Sequence, residues 1–246
     1  SGQGATTVWN HEDKKQTFEW QAGSLFSPPL NAWHQHFNGS GDKPVRYLAV
    51  STAPTMINLV HNLDFIFNND FVFEDRFNGR DGYFNGQGAH YAGEYQGFKF
   101  AGNVWETNFV PDVRTFKLMD YSERGAGGHN IKFELSENTT ACHISEFPAG
   151  TYKKAHRHGA GAHVIILSGE GYSLIWPEGQ PIKKYDWHEG SRVVPPDNWW
   201  HQHFNTGREP ARYLALRAFG SKKHRGVGKP YRGATDRKKG GEQIGY

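Results

Sequence analysis

The chain has 246 residues, with 30 glycines, 12 prolines and 15% aromatic residues, enough to bury one large core or two modest ones. Its formal charge is only +3, and the basic stretch from Lys222 to Lys239 has few aromatics among its bases, which argues against a nucleic-acid-binding surface. One cysteine, Cys142, excludes an intrachain disulfide; with no run near the roughly 18 apolar residues of a membrane span and no secretory signal, the expectation is a soluble cytoplasmic protein that binds neither nucleic acid nor membrane.

Glycine, proline and aromatic residues at this density suit many short strands joined by tight turns, an all-β chain. Residues 1–52 open with Ser1-Gly2-Gln3-Gly4 and run to the hexapeptide Trp33-His34-Gln35-His36-Phe37-Asn38. The same order returns at an offset of 167 residues. Ser168-Gly169-Glu170-Gly171 corresponds to the first four residues, Trp176 to Trp9, Trp187 to Trp20 and Gly190 to Gly23. Pro195-Pro196 matches Pro28-Pro29, and Trp200-His201-Gln202-His203-Phe204-Asn205 repeats the hexapeptide unchanged. Register kept over that length marks an internal duplication. The first copy lacks what precedes Ser168 in the second, so residues 1–52 read as the C-terminal half of a barrel that a missing N-terminal segment would complete. Half a sheet otherwise leaves exposed edges.

Residues 53–140 form an inter-barrel connection. Thr55 to Phe67 reads as a helical turn or loop, short and rich in Asn. Apolar alternations at Phe98-Lys99-Phe100 and Phe116-Lys117-Leu118 predict some strands, and Arg124-Gly125-Ala126-Gly127-Gly128 reads as a turn. Residues 141–220 form the complete second barrel, and 221–246 a basic C-terminal arm.

The second copy carries the chemistry. His156 and His158 at i and i+2 on a strand share one side of the sheet. His201, on a returning strand, supplies a third imidazole. His163 is a possible fourth ligand or a neighbour of the ligands, and His203 shares strand parity with His201. His34 and His36 are the corresponding pair in the first copy, a possible degenerate site. Neutral imidazoles suit Fe, Mn, Ni, Cu or Zn. Arg157 and Arg192 are close in sequence and could grip a substrate carboxylate through a bidentate fork.

These frames resemble the two motifs of the cupin superfamily. Gly150, His156, His158 and Gly169 match the first; Gly190, Pro196, His201 and Asn205 match the second, with Asn198 where glycine is usual. The position of the family's glutamate falls on Ala162 by one count and on His163 by the other; the first leaves a three-histidine site. The resemblance implies double-stranded β-helix, jelly-roll barrels, here a bicupin with an incomplete first barrel. The His-Arg-His triplet and the missing glutamate are similar to gentisate 1,2-dioxygenases. That likeness implies Fe(II) on His156, His158 and His201, and ring cleavage of a small hydroxylated aromatic acid. Arg124-Gly125-Ala126-Gly127-Gly128 and the repeated hexapeptide also resemble cupins labelled ethanolamine ammonia-lyase activating proteins, which implies a non-catalytic, partner-activating role. An O2-independent metal isomerase or lyase is the third reading. Strand faces such as Val164-Ile165-Ile166-Leu167, apolar on both sides, point to a homo-oligomer.

Overall fold

The computed structural model describes residues 1–95, 98–138, 140–158, 162–217 and 242–244. The basic stretch from Lys222 to Lys239 and the glycines just after His158 lie outside these residues.

The first copy forms β1 (Gly4–Trp9), β2 (Gln16–Trp20), β3 (Leu25–Phe26) and β4 (Trp33–Asn38). The connection begins with helices α1 (Ala53–Val60) and α2 (Leu63–Phe67). Where the sequence reads as a turn or loop, Asn62 ends one helix and starts the next. Its side chain accepts the Phe65 N–H at 2.8 Å, so an Asn that looks like a breaker acts as a cap. Strands β5 (Gly88–Tyr95), β6 (Phe98–Thr107), β7 (Phe109–Val110), β8 (Met119–Asp120) and β9 (His129–Leu135) complete the connection. The second copy contributes β10 (Ala141–Phe147), β11 (Ala155–Arg157), β12 (His163–Ser168), β13 (Gly171–Trp176), β14 (Lys183–Trp187), β15 (Arg192–Val193), β16 (Trp200–Asn205), β17 (Ala211–Arg217) and, beyond it, β18 (Glu242–Ile244).

The second barrel is a jelly roll of two facing sheets. One runs β14-β13-β16-β11-β18; the other runs β15-β12-β17-β10 and continues through β9, β6 and β5. Alternate residues of these strands point inward, so Phe147, Ala162, Val164, Ile166, Ile175, Trp187, Val193, Ala211 and Ala215 fill the barrel. The opposite residues of β10, β12 and β17 pack on the connection. Cys142, Ile144, Leu214 and Leu216 form a core with Val110, Val113, Ile131, Phe133 and Leu135, and Ile165 and Leu167 rest against it. The two-sided apolarity that pointed to an oligomer is therefore satisfied within the chain. Arg212 ties the layers together: its Nε donates to Glu146 Oε2 at 2.8 Å and its Nη atoms to the carbonyls of Val113 and Phe116, each at 3.1 Å.

The duplication holds in three dimensions. Strands β1, β2, β3 and β4 correspond to β13, β14, β15 and β16 with the same offset, and the order β2-β1-β4 matches β14-β13-β16. Asn31 (φ 55°) and Asn198 (φ 58°) take the same left-handed conformation at the turn before the hexapeptide, which Asn tolerates better than most residues. What differs is the covering. Val8 and Ala32, with Trp20 and Phe18 beside them, pack on Phe77, Tyr83, Phe84 and Phe109 of the connection. β4 pairs with β1 on one side; among the described residues no strand lies on its other edge. All six of its residues are exposed, whereas the identical β16 sequence is almost wholly buried.

Candidate metal centre

β11 and β16 are antiparallel neighbours with His156 opposite His201. That register brings two strands remote in sequence within reach of one ion. His158, two residues beyond His156, shares its side of the strand. Ring centroids are 4.2 Å apart for His156 and His201, 4.9 Å for His158 and His201, and 5.5 Å for His156 and His158. One nitrogen from each ring lies within 4.8 Å of the other two.

Hydrogen bonds set the tautomers. His156 Nδ1 lies 3.0 Å from the Lys154 carbonyl and His201 Nδ1 lies 3.0 Å from the Trp199 carbonyl. A carbonyl only accepts, so each Nδ1 carries the proton and each Nε2 presents a lone pair. Burial drives both imidazoles to the neutral form. His156 is held well below its usual pKa by burial, then by the charges of Arg124, His201 and His158; His201 is lowered to about 3 by burial and His158. Neutral, oriented, converging nitrogens fit a divalent transition-metal cation. The turn that returns the chain to β16 is pinned on the same feature, since Asn198 N–H donates to the His158 carbonyl at 3.1 Å.

His203 extends the site inward. Its Nδ1 is 2.7 Å from Ser173 Oγ, and Trp187 Nε1 donates to the same hydroxyl at 3.1 Å. The Trp187 donor uses a hydroxyl lone pair, so the Ser173 proton is placed to donate to His203 Nδ1. The ring of His203 lies 5.7 Å from His201 and 5.8 Å from Tyr213. His163 falls on the other side of β12: Ala162, Val164 and Ile166 point inward, and alternation turns His163 away. Among the described residues the clustered donors are His156, His158 and His201, without His163 or His203.

The two arginines singled out from the sequence are not brought to this cluster. Arg157 faces outward from β11, ion-paired with Glu178 and lying over the Trp200 ring at 4.9 Å. Arg192 is exposed on β15, where the inward residue is its neighbour Val193. Strand parity decides both: a residue adjacent to an inward-facing one points out. In the first copy His34 and His36 sit on the exposed β4 with ring centroids 5.5 Å apart. His36 Nδ1 is 2.8 Å from Thr6 Oγ1, which also accepts from Trp20 Nε1 at 2.8 Å, the counterpart of the Trp187–Ser173–His203 chain.

Sequence reasoning missed His143, Tyr213, Lys153 and the role of Arg124. His143 and Tyr213 are interior neighbours, with ring centroids 6.0 Å apart. Inward parity with Ser145 and Phe147 on β10 was the available signal for His143. Nothing local marks Arg124.

Residues 143–217 match the cupin domain family, a segment containing His156, His158, His163, His201 and His203 but neither the first copy nor the connection. Solved structures with the same fold include two mutants of oxalate decarboxylase from Bacillus subtilis. One is a point mutant (TM-score 0.51, 11% identity) and the other carries a two-residue deletion (TM-score 0.50, 11% identity). Each alignment covers 89% of this chain and 61% of that one, so the chain spans about three fifths of the length of these enzymes. No curated protein matches the sequence. Fold and site define a double-stranded β-helix protein with a cupin domain and a three-imidazole cluster in its barrel. Among the described residues no helix is long and apolar enough to cross a membrane.

Proposed function

We propose that the chain is a metal-dependent enzyme in which His156, His158 and His201 hold one divalent cation, Fe(II) in the first instance, and that it oxidatively cleaves a small hydroxylated aromatic acid. The observation that carries this reading is the convergence of three neutral imidazoles in the barrel without a carboxylate in the group. A bound cation would supply Lewis acidity toward an anionic chelating substrate, undiminished by a protein carboxylate. The chain's own part is to orient the ligands through Lys154 and Trp199. It also presents His203, Tyr213 and His143 to whatever enters, and keeps bulk water out with the apolar barrel lining.

A second reading, O2-independent conversion of an organic acid, has the oxalate decarboxylase fold relatives in its favour. Both are tested by elemental analysis of native protein followed by paired aerobic and anaerobic assays with 2,5-dihydroxybenzoate and oxalate. Near one Fe per chain and oxygen uptake with the aromatic acid supports cleavage; turnover of oxalate without oxygen supports the second reading. Absence of metal, persisting after anaerobic Fe(II) addition, removes both and leaves a partner-activating role.

For the first copy, the reading is one cation per chain, with β4 as an edge that takes a β11-like strand. The support is that His34 Nδ1 lies 3.1 Å from the Ala32 carbonyl, the bond His201 makes to Trp199. Two metal equivalents, one lost on His34→Ala, would assign an ion to His34 and His36.

A further inference from the structure

The turn before the second barrel holds an arginine whose charge nothing in the protein uses. Residues 121–128 fold back on themselves. Tyr121 N–H donates to the Gly128 carbonyl at 2.7 Å, Gly125 N–H to Ser122 O at 3.1 Å and Gly128 N–H to Gly125 O at 3.2 Å. The turn is seated on the approach to β11. Lys154 N–H donates to the Arg124 carbonyl at 2.9 Å, and a Cβ on Gly125 would overlap the Tyr152 carbonyl oxygen. Arg124 is thus held through the same residue, Lys154, whose carbonyl orients His156.

The Arg124 side chain is half-buried, yet among the described residues its guanidinium forms neither a hydrogen bond nor an ion pair. Five donors in a fixed fork are left for something else. Its charge reaches His143, His156, His201, His203, Lys153 and Tyr213, lowering the proton affinity of each. The aromatic members of this set form one chain of neighbours. His156 to His201 is 4.2 Å, His201 to His203 is 5.7 Å, His203 to Tyr213 is 5.8 Å and Tyr213 to His143 is 6.0 Å. No carboxylate acts on the four histidines of this chain. Glu146, which does act on Lys153, is held by Arg212 at 2.8 Å. The chamber therefore combines neutral imidazoles and uncompensated positive charge with apolar walls at Val164, Ile166 and Ile175.

We infer that Arg124 is the anion-recognition residue of this chamber, and that the ligand it takes is a small organic carboxylate with an apolar body. The inference rests on the chamber being a ligand site, as in the proposed function, but not on the metal. The guanidinium grips the carboxylate as a bidentate fork, while the remainder of the ligand packs on the lining and reaches toward the three histidines. Specificity for acids over their uncharged analogues then comes from outside the matched cupin segment.

The test is calorimetric titration of the full chain, metal-loaded and metal-stripped, with benzoate and with benzamide. Benzoate should bind the wild type more tightly than benzamide in both forms. Arg124→Gln should weaken benzoate by about 10- to 100-fold, with benzamide affinity and metal content unchanged. Arg124→Lys should fall between, keeping the charge without the fork. Lys183→Gln, at an exposed position of β14, should match the wild type. Equal benzoate affinity in the wild type and Arg124→Gln, or no benzoate binding by the wild type, overturns the inference. Discrimination that persists in the metal-stripped protein keeps it even if the metal reading fails. Metal-dependent turnover indifferent to Arg124 does the reverse.

Discussion

His34 and His201 make the same hydrogen bond in opposite surroundings. Nδ1 of each is bonded to the carbonyl two residues earlier, Ala32 at 3.1 Å and Trp199 at 3.0 Å, yet His201 is 3% exposed and His34 is open to solvent. The bond follows from local backbone geometry, which the identical hexapeptides share. The burial follows from β11, which lies beside β16 and has no counterpart beside β4. Only where the second strand is present do further imidazoles converge.

Replacing one buried ligand removes the convergence. His156→Ala is expected to lose most bound metal, whereas Arg157→Ala, whose side chain engages Glu178 outside the barrel, retains it. Metal-to-chain ratios by elemental analysis decide the matter. Wild-type content in His156→Ala would sink the ligand assignment.

Ser173 supports two buried groups at once. Ser173→Ala leaves Trp187 Nε1 and His203 Nδ1 without their partner in the core, at an expected cost of about 1–3 kcal/mol. Ser173→Thr keeps the hydroxyl, as Thr6 does in the first copy, and should recover most of that loss. Urea midpoints of the two variants give the comparison; an Ala variant as stable as the Thr variant would refute the chain.

Lys153 makes stability rise with pH. Burial, with Arg124 adding repulsion, lowers its ammonium from 10.5 to about 8 against the opposing pull of Glu146. Between pH 8 and 10.5 the unfolded chain therefore holds the proton that the folded chain has released, and stability climbs across that window. Below it the charged, buried amine costs the fold on the order of 3 kcal/mol. Lys153→Met should remove the climb. The measurement is the difference in urea midpoint between wild type and variant from pH 7 upward, and a flat difference contradicts the prediction.

Gly125 has φ 152° and no room for a Cβ beside the Tyr152 carbonyl. Gly125→Ala should cost about 1–3 kcal/mol through backbone strain and displace the turn that carries Arg124. Gly150→Ala is the comparison: it has φ 68° but open space around it. Its backbone is strained too, but no neighbour has to move, so thermal unfolding should show the larger loss at Gly125.

The sequence by itself determined the strand-rich architecture, the duplication and the three histidines. Each of these is written in local spacing. Period-two alternation puts His156 and His158 on one face, and a fixed offset pairs Trp20 with Trp187 and Thr6 with Ser173. The same alternation, once the inward face is known, turns Arg157 and His163 outward. The tertiary structure decided what spacing does not encode. The aromatic segment Phe77, Tyr83 and Phe84 covers the inner face of the first copy, and the 88–135 strands cover the outer face of the second barrel. Arg124, thirty-two residues before His156 in the chain, reaches the chamber because a turn docks its backbone on Lys154. Contacts of that kind depend on how separate segments close and pack together, and apolar surface is non-directional about which segment covers it. The pattern of residues names the partners only after the chain has brought them into contact.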